Sequence, residues 1–125
     1  MNMPQVIRGS QQSEYYFDER CYITEWLNVE SSAQLSIARA RVEPGVTTAW
    51  HQLTGITERY VVLSGQGLVA VGDLETTVSA GDVVIIPPDT RQRISNTCQQ
   101  QDLIFLAICS PRFRVSAYVD LECMN

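Results

Sequence analysis

Short runs of β-forming residues, each closed by a turn signal, follow one another along most of the chain. This limits its fold more than any other feature. Turn signals such as Pro44-Gly45, Gly72-Asp73 and Gly81-Asp82 separate the runs. Short strands divided by regularly spaced turns are typical of β-sandwiches and β-barrels. The predicted strands comprise residues 20–26, 35–42, 47–53, 58–63, 68–71, 76–78, 83–86, 92–95 and 103–108.

The apolar residues do not follow a helical pattern in most of the sequence. Before Pro111, no segment repeats them at the i, i+3, i+4 spacing of an amphipathic helix. The tail over residues 112–122 is compatible with either a strand or a short helix. The length of 125 residues fits one domain. We therefore expect a single all-β domain over residues 1–125, with a core at about 35–110, an N-terminal strand and a C-terminal tail.

Charge and composition exclude several classes of partner. The net charge is -5, and an acidic surface repels phosphate backbones, so we expect no nucleic-acid partner. No apolar run is long enough to span a bilayer, and the N-terminus lacks the pattern of a signal peptide. The four cysteines lack the Cys-x-x-Cys spacing of a zinc site. We expect a cytoplasmic protein with reduced cysteines and no membrane partner.

Two stretches carry turn residues and polar residues at fixed spacing. In the first, Gly45 is followed after five residues by His51, and Leu53, Glu58 and Gly65 come later. In the second, Gly81 is followed after five residues by Pro87. Asp89, Gln92 and Asn96 come later in this stretch.

The two stretches resemble the two conserved motifs of the cupin superfamily, and the resemblance covers roughly residues 35–110. Leu53 stands where the first motif has its second histidine. Asp89 and Gln92 stand where the second motif has a glycine and a histidine. The resemblance implies a double-stranded β-helix, that is, a jelly-roll barrel of the RmlC-like type. It also implies a homodimer.

Strand alternation predicts which side chains enter such a barrel. Residues two apart on a strand share a face, so Leu53 points inward if His51 does, and Tyr60 accompanies Glu58. Polar groups in an apolar interior are costly unless they bind a ligand, a metal, water or each other. The predicted ligand pocket comprises His51, Leu53, Glu58, Tyr60 and Gln92.

A divalent metal is the cofactor that the resemblance implies. In cupins of the metal-binding type, three histidines and one glutamate hold manganese, iron, nickel or zinc. This chain has a single histidine, so the candidate ligands are His51, Glu58 and Gln92. An amide oxygen suits harder ions better than soft ones.

Three functions remain open on this evidence. The barrel could be a module that binds a small organic ligand, with or without a metal. It could be a metal-dependent isomerase, epimerase or dioxygenase acting on a sugar or small acid, with the ion as Lewis acid and Glu58 as an alternative base. It could also be a metal-free epimerase-like enzyme with His51 as base and Tyr60 as acid, although no carboxylate partner for His51 is identifiable from the sequence.

Overall fold

Two antiparallel β-sheets face each other in the computed structural model, which describes residues 3–122. The strands are β1 (Tyr15–Phe17), β2 (Cys21–Leu27), β3 (Ser36–Val42), β4 (His51–Leu53), β5 (Thr57–Ser64), β6 (Gln66–Val71), β7 (Leu74–Ser79), β8 (Val83–Ile86), β9 (Gln92–Asn96), β10 (Leu103–Ser110) and β11 (Tyr118–Asp120). Three single-turn 3₁₀ helices lie at Gly9–Gln11, Glu30–Ser32 and Val115–Ala117.

The larger sheet has six strands in the order β1-β2-β3-β10-β5-β8, and the smaller has five in the order β11-β4-β9-β6-β7. Neighbouring strands are far apart in sequence, as when β10 pairs with both β3 and β5. This crossing of the chain between two sheets confirms the all-β jelly-roll fold class. No helix in the described range is long and apolar enough to cross a bilayer.

The expected strands are present with small differences at their ends. Of the expected strand at 47–53, only His51–Leu53 pairs as a strand, and the tail resolves into a 3₁₀ turn followed by β11. The prediction missed β1, because this three-residue strand leaves Tyr15 and Tyr16 exposed and so has no burial pattern to recognise.

Strand β5 shows how alternation builds the interior. Glu58, Tyr60 and Val62 are buried, whereas the residues between them are more exposed. In the register with β10, Tyr60 lies opposite Ala107. The most deeply buried apolar side chains fill the space between the sheets, namely Ile86, Ile94, Leu103, Val42, Val62, Val69 and Cys21.

The C-terminal tail closes one end of the barrel. It pairs with β4 through β11, with Asp120 opposite His51. Beneath it lies a second apolar cluster, separate from the main core. Its members are Leu53, Ile56 and Cys109, with Phe113, Ala117 and Tyr118 packed against them.

Candidate active site

A cavity of about 60 Å³ lies on the inner face of the larger sheet. One ordered water needs roughly 10–15 Å³, so the space suits several waters or part of a small organic molecule. Tyr15, which is 44% exposed, lies at its rim. The wall is formed by Tyr15, Phe17, Glu19, Ile23, Glu25, Leu27, Asn28, Ser36, Ile37, Ala38, Ala40, Glu58, Tyr60, Phe105, Ala107, Cys109 and Phe113.

Four of the five predicted pocket residues form a buried polar cluster. Glu58 and Tyr60 line the cavity. His51 and Gln92 are buried but are not part of the wall, and they lie opposite each other on strands β4 and β9. The Tyr60 hydroxyl donates a 2.6 Å hydrogen bond to Oε1 of Gln92, which connects the cavity wall to the buried pair of His51 and Gln92.

Leu53, the fifth predicted residue, is placed elsewhere. Its side chain packs with Ile56 and Cys109 in the second apolar cluster and is not part of the cavity wall. Strand β4 is only three residues long, and its neighbour β11 covers it on one edge. Side chains of β4 can therefore contact the C-terminal tail as well as the barrel interior.

The His51 ring is fixed in orientation and tautomer. Its Nδ1 lies 2.7 Å from the carbonyl oxygen of Ala49. A carbonyl only accepts hydrogen bonds, so Nδ1 carries a proton and the neutral ring keeps its lone pair on Nε2. The ring also stacks on Tyr118, with centroids 5.0 Å apart and planes at 16°.

A carboxylate partner for the histidine exists, and sequence reasoning missed it. Glu19 precedes β2 and lines the cavity, with its Oε1 3.9 Å from Nε2 of His51. The Ala49 N–H donates a 2.9 Å hydrogen bond to the Glu19 carbonyl oxygen, which ties this turn to the strand of the histidine. Burial raises the pKa of Glu19 to about 7, although a hydrogen bond with the Cys21 thiol opposes the rise.

The Glu58 carboxyl is the most enclosed acid of the wall. Within residues 3–122 its Oε1 is buried without a hydrogen-bond partner, and so is Nε2 of Gln92. Burial raises the pKa of Glu58 to about 7, while the nearby His51 imidazole and Gln92 amide act in the opposite direction. Unpaired buried polar atoms are rare in folded proteins and often mark functional sites.

The two buried thiols of the interior are poor nucleophiles. Burial and the adjacent carboxyls of Glu19 and Glu58 raise the pKa of the Cys21 thiol. Burial, followed by the charge of Glu58, does the same at Cys109. Thiolates are the reactive form of cysteine, so neither residue suits covalent catalysis.

The polar cluster does not fit a resident metal well. Gln92 uses its amide oxygen to accept the Tyr60 hydroxyl, and the free amide nitrogen cannot ligate a cation. Among the described residues, no group of three or more His, Cys, Asp and Glu side chains has a metal-binding arrangement. One imidazole and one carboxylate are a weak set for any of the four metals considered above.

The comparisons with known proteins give a family and several structural relatives. A family described as "Cupin domain" matches residues 38–109. The "Uncharacterized protein MJ1618" of Methanocaldococcus jannaschii is 33% identical over 69 residues, which are 55% of each chain. The chain thus matches about half the length of this curated relative.

Solved structures share the fold at low sequence identity. Pac13 from Streptomyces, a nucleoside dehydratase, is 17% identical, with 95% of this chain and 92% of that chain aligned at a TM-score of 0.79. A Thermotoga maritima protein described as a predicted oxalate decarboxylase is 24% identical over 86% of this chain and 99% of its own, at a TM-score of 0.76. KdgF from Halomonas is 15% identical over 91% and 98%, at 0.77. Other Pac13 structures contain uridine.

Proposed function

The chain belongs to the cupin domain family, and from that premise we propose that it is an acid–base enzyme. Its cavity would take a small organic molecule and remove a proton from a carbon atom next to a carbonyl group. Glu58 and Glu19 would transfer the protons. The observation that carries the proposal is that two buried carboxyls, one of them with an unpaired oxygen, line the same cavity.

Glu58 is the group best placed to act as base. It is the most buried carboxyl of the wall at 7% exposure, and no cation is paired with it among residues 3–122. A carboxylate without a salt bridge keeps its basicity, and a base is most efficient when its pKa lies near the working pH. Proton transfer by a positioned group of this kind contributes typically about 10²- to 10⁴-fold in rate.

Glu19 and His51 supply the second proton transfer. With Nδ1 of His51 donating to the Ala49 carbonyl oxygen, Nε2 faces Glu19 at a distance of 3.9 Å from its Oε1. In the first step, a C–H bond breaks, its proton passes to Glu58, and the electron pair remains on the substrate as an enolate. In the second, a proton from Glu19 returns to carbon, or it joins a departing hydroxyl that leaves as water.

Tyr60 and Gln92 pair with each other and transfer no proton in this account. The Tyr60 hydroxyl is already committed to Gln92. Burial, and next the charge of Glu58, raise the pKa of Tyr60, so the phenol stays protonated. Tyr60 is therefore assigned a supporting role, and Glu19 takes the acid role that Tyr60 has in the epimerase-like hypothesis.

The structural relatives support catalysis in a barrel of this shape, because one is described as a nucleoside dehydratase and another as a predicted oxalate decarboxylase. A dehydratase removes water from its substrate, which is one of the two outcomes proposed here. At these identities the likeness shows the fold alone, so the reaction rests on the cluster of Glu19, His51 and Glu58.

The test is solvent deuterium incorporation into unphosphorylated aldoses, followed by NMR with a chelator present. We expect exchange at the carbon next to the carbonyl group, and a loss of at least 100-fold in Glu58→Gln. Glu75→Gln is the matched control, because Glu75 is an exposed glutamate on β7 of the other sheet. Full exchange in Glu58→Gln would contradict the proposal. Binding of an aldose without deuterium exchange would indicate a module that binds its ligand without catalysis.

A resident divalent metal is the alternative that the sequence motifs suggested. His51, Glu58 and Gln92 would be its ligands, with the Gln92 oxygen released from Tyr60. Elemental analysis of protein purified without an affinity tag distinguishes the two accounts. One equivalent of metal that disappears in His51→Ala would favour the metal enzyme, and a metal content well below one would favour the acid–base site.

We also propose that the protein is a homodimer paired along β8. This strand is an edge of the larger sheet, and its outward side chains Val83 and Ile85 are 58% and 67% exposed. Exposed apolar edge strands favour pairing with another strand. In a two-fold dimer, the β8 strands of the two copies would pair with each other, so the same surface is covered on both subunits. Light scattering should give twice the chain mass, and Ile85→Arg should give the monomer. A monomeric native protein at micromolar concentration would contradict this.

A further inference from the structure

The ionisable side chains of the cavity wall are acids and weak acids only. Glu19, Glu25 and Glu58 line it, together with two tyrosines and a cysteine. Within residues 3–122, no arginine and no histidine contributes to the wall. The chain has nine basic residues, all of them arginine.

Four of the nine arginines are paired with acids away from the cavity. Salt bridges join Arg20 to Glu122, Arg91 to Asp73, and both Arg39 and Arg41 to Glu14. Arg59 donates a hydrogen bond to the Ser110 hydroxyl. Because no arginine is among the residues of the wall, the cavity offers no guanidinium to receive a phosphate or carboxylate.

Arg112 contacts the cavity wall through the amide of Asn28. Its Nη1 donates a 2.9 Å hydrogen bond to Oδ1 of Asn28, and Nδ2 of Asn28 donates 3.1 Å to Oε1 of Glu25. The guanidinium thus supports Asn28, and the group that faces the cavity next to it is the Glu25 carboxylate.

The rest of the wall suits a neutral molecule with hydroxyl groups. Carboxyl oxygens accept hydrogen bonds from hydroxyls, and aromatic faces pack against the C–H surface of a sugar ring. The aromatic side chains of the wall are Tyr15, Phe17, Tyr60, Phe105 and Phe113.

We propose that the cavity selects uncharged, hydroxyl-rich small molecules and excludes their phosphorylated and carboxylated forms. This rests on the site of the proposed function and names its substrate class. Unphosphorylated sugars and nucleosides would enter, whereas sugar phosphates and sugar acids would meet carboxyl groups and find no cation on the described wall to pair with.

Matched ligands test the inference by calorimetry or ligand-observed NMR. Ribose is compared with ribose 5-phosphate and ribonate, and uridine with uridine monophosphate. We expect the uncharged member to bind at least 10-fold more tightly than its anion. Glu25→Gln should lower this ratio severalfold, whereas Glu75→Gln should leave it unchanged.

Three results would overturn it: anions that bind as tightly as the neutral members, amino sugars that bind more tightly than either, or no binding by any member at millimolar concentration. The outcome is separable from that of the proposed function. Deuterium exchange that survives Glu58→Gln removes the catalytic role without affecting charge selection. Tight binding of anions removes charge selection even if Glu58 is essential.

Discussion

The Tyr118 ring stacks on the His51 ring at a centroid distance of 5.0 Å, so a strand of the C-terminal tail holds the only histidine of the protein. The Phe17 and Tyr118 rings meet in an edge-to-face arrangement, with their centroids 5.1 Å apart and their planes at 88°. The stack joins the first strand, the last strand and the acid–base cluster. Loss of its central ring should therefore affect both stability and chemistry.

We expect Tyr118→Ala to lower the free energy of unfolding by about 1–3 kcal/mol, because two aromatic pairs are each worth roughly 0.5–1.5 kcal/mol. Tyr118→Phe keeps both rings in contact and should cost less than about 1 kcal/mol. Urea denaturation measures both variants. Equal losses for the two would show that the hydroxyl, and not the stacking, is what matters.

The two raised carboxyl pKa values predict how stability depends on pH. The pKa of Glu58 rises from its ordinary value of 4.5 to about 7 on folding. The folded protein therefore binds this proton more tightly than the unfolded chain. The resulting stabilisation is fully present below about pH 4.5 and is lost as the pH rises through 7. At about 1.4 kcal/mol per pKa unit, Glu58 changes the free energy of unfolding by roughly 3 kcal/mol.

Denaturation curves at pH 5 and pH 8 check this dependence. Glu58→Gln cannot titrate, so it should lose about half of the decrease that the native protein shows between these values. The other half comes from Glu19, whose pKa also rises to about 7. Glu75→Gln should keep the full decrease. A native protein that is more stable at pH 8 than at pH 5 would be incompatible with two buried carboxyls whose pKa values rise on folding.

Tyr60 and Gln92 should be energetically coupled through their 2.6 Å hydrogen bond. Tyr60→Phe leaves the buried Gln92 oxygen without a donor and should cost about 1–3 kcal/mol of stability. Gln92→Leu removes the acceptor. The double variant should cost less than the sum of the two, because it leaves no unpaired partner. Strictly additive losses in a double-mutant cycle would mean that the bond contributes nothing.

Gly65 should tolerate alanine far less than Gly55. Both have positive φ angles, +91° and +72°, which disfavour any side chain. A Cβ at Gly65 would lie 2.7 Å from the Asp102 carbonyl oxygen, whereas a Cβ at Gly55 meets no atom within 4 Å. We expect Gly55→Ala to lower the free energy of unfolding by about 1 kcal/mol, because only the positive φ opposes alanine there. Gly65→Ala should lower it by at least twice as much. Similar melting temperatures for the two variants would contradict the steric argument.

Much of the fold could be predicted, because strand alternation and turn residues are local signals. Asp89 illustrates the limit of that reasoning. It stands at a glycine position of the cupin motif and has a φ of +58°, a conformation that Asp adopts more readily than most residues. Its Oδ1 also accepts a hydrogen bond from the Gly55 N–H. The departure from the motif is thus accommodated by the backbone and a side-chain contact.

The candidate site was only partly predictable. Glu58 and Tyr60 share a strand face, so their common direction follows from alternation. Glu19 precedes a strand, and no periodic pattern shows that its side chain turns into the barrel. The surroundings of Leu53 were also not predictable. Its direction could be predicted, because it shares a strand face with His51. The residues of the tail that pack against its cluster could not be predicted from alternation.

The central claim is that Glu58 and Glu19 are buried carboxyls held in a low-dielectric cavity. Carbon-13 NMR titration of the side-chain carboxyls, assigned with Glu58→Gln and Glu19→Gln, tests it most directly. We predict two carboxyls that titrate near pH 7, each missing from the spectrum of its own variant. Titration of both near the ordinary value of 4.5 would contradict the account.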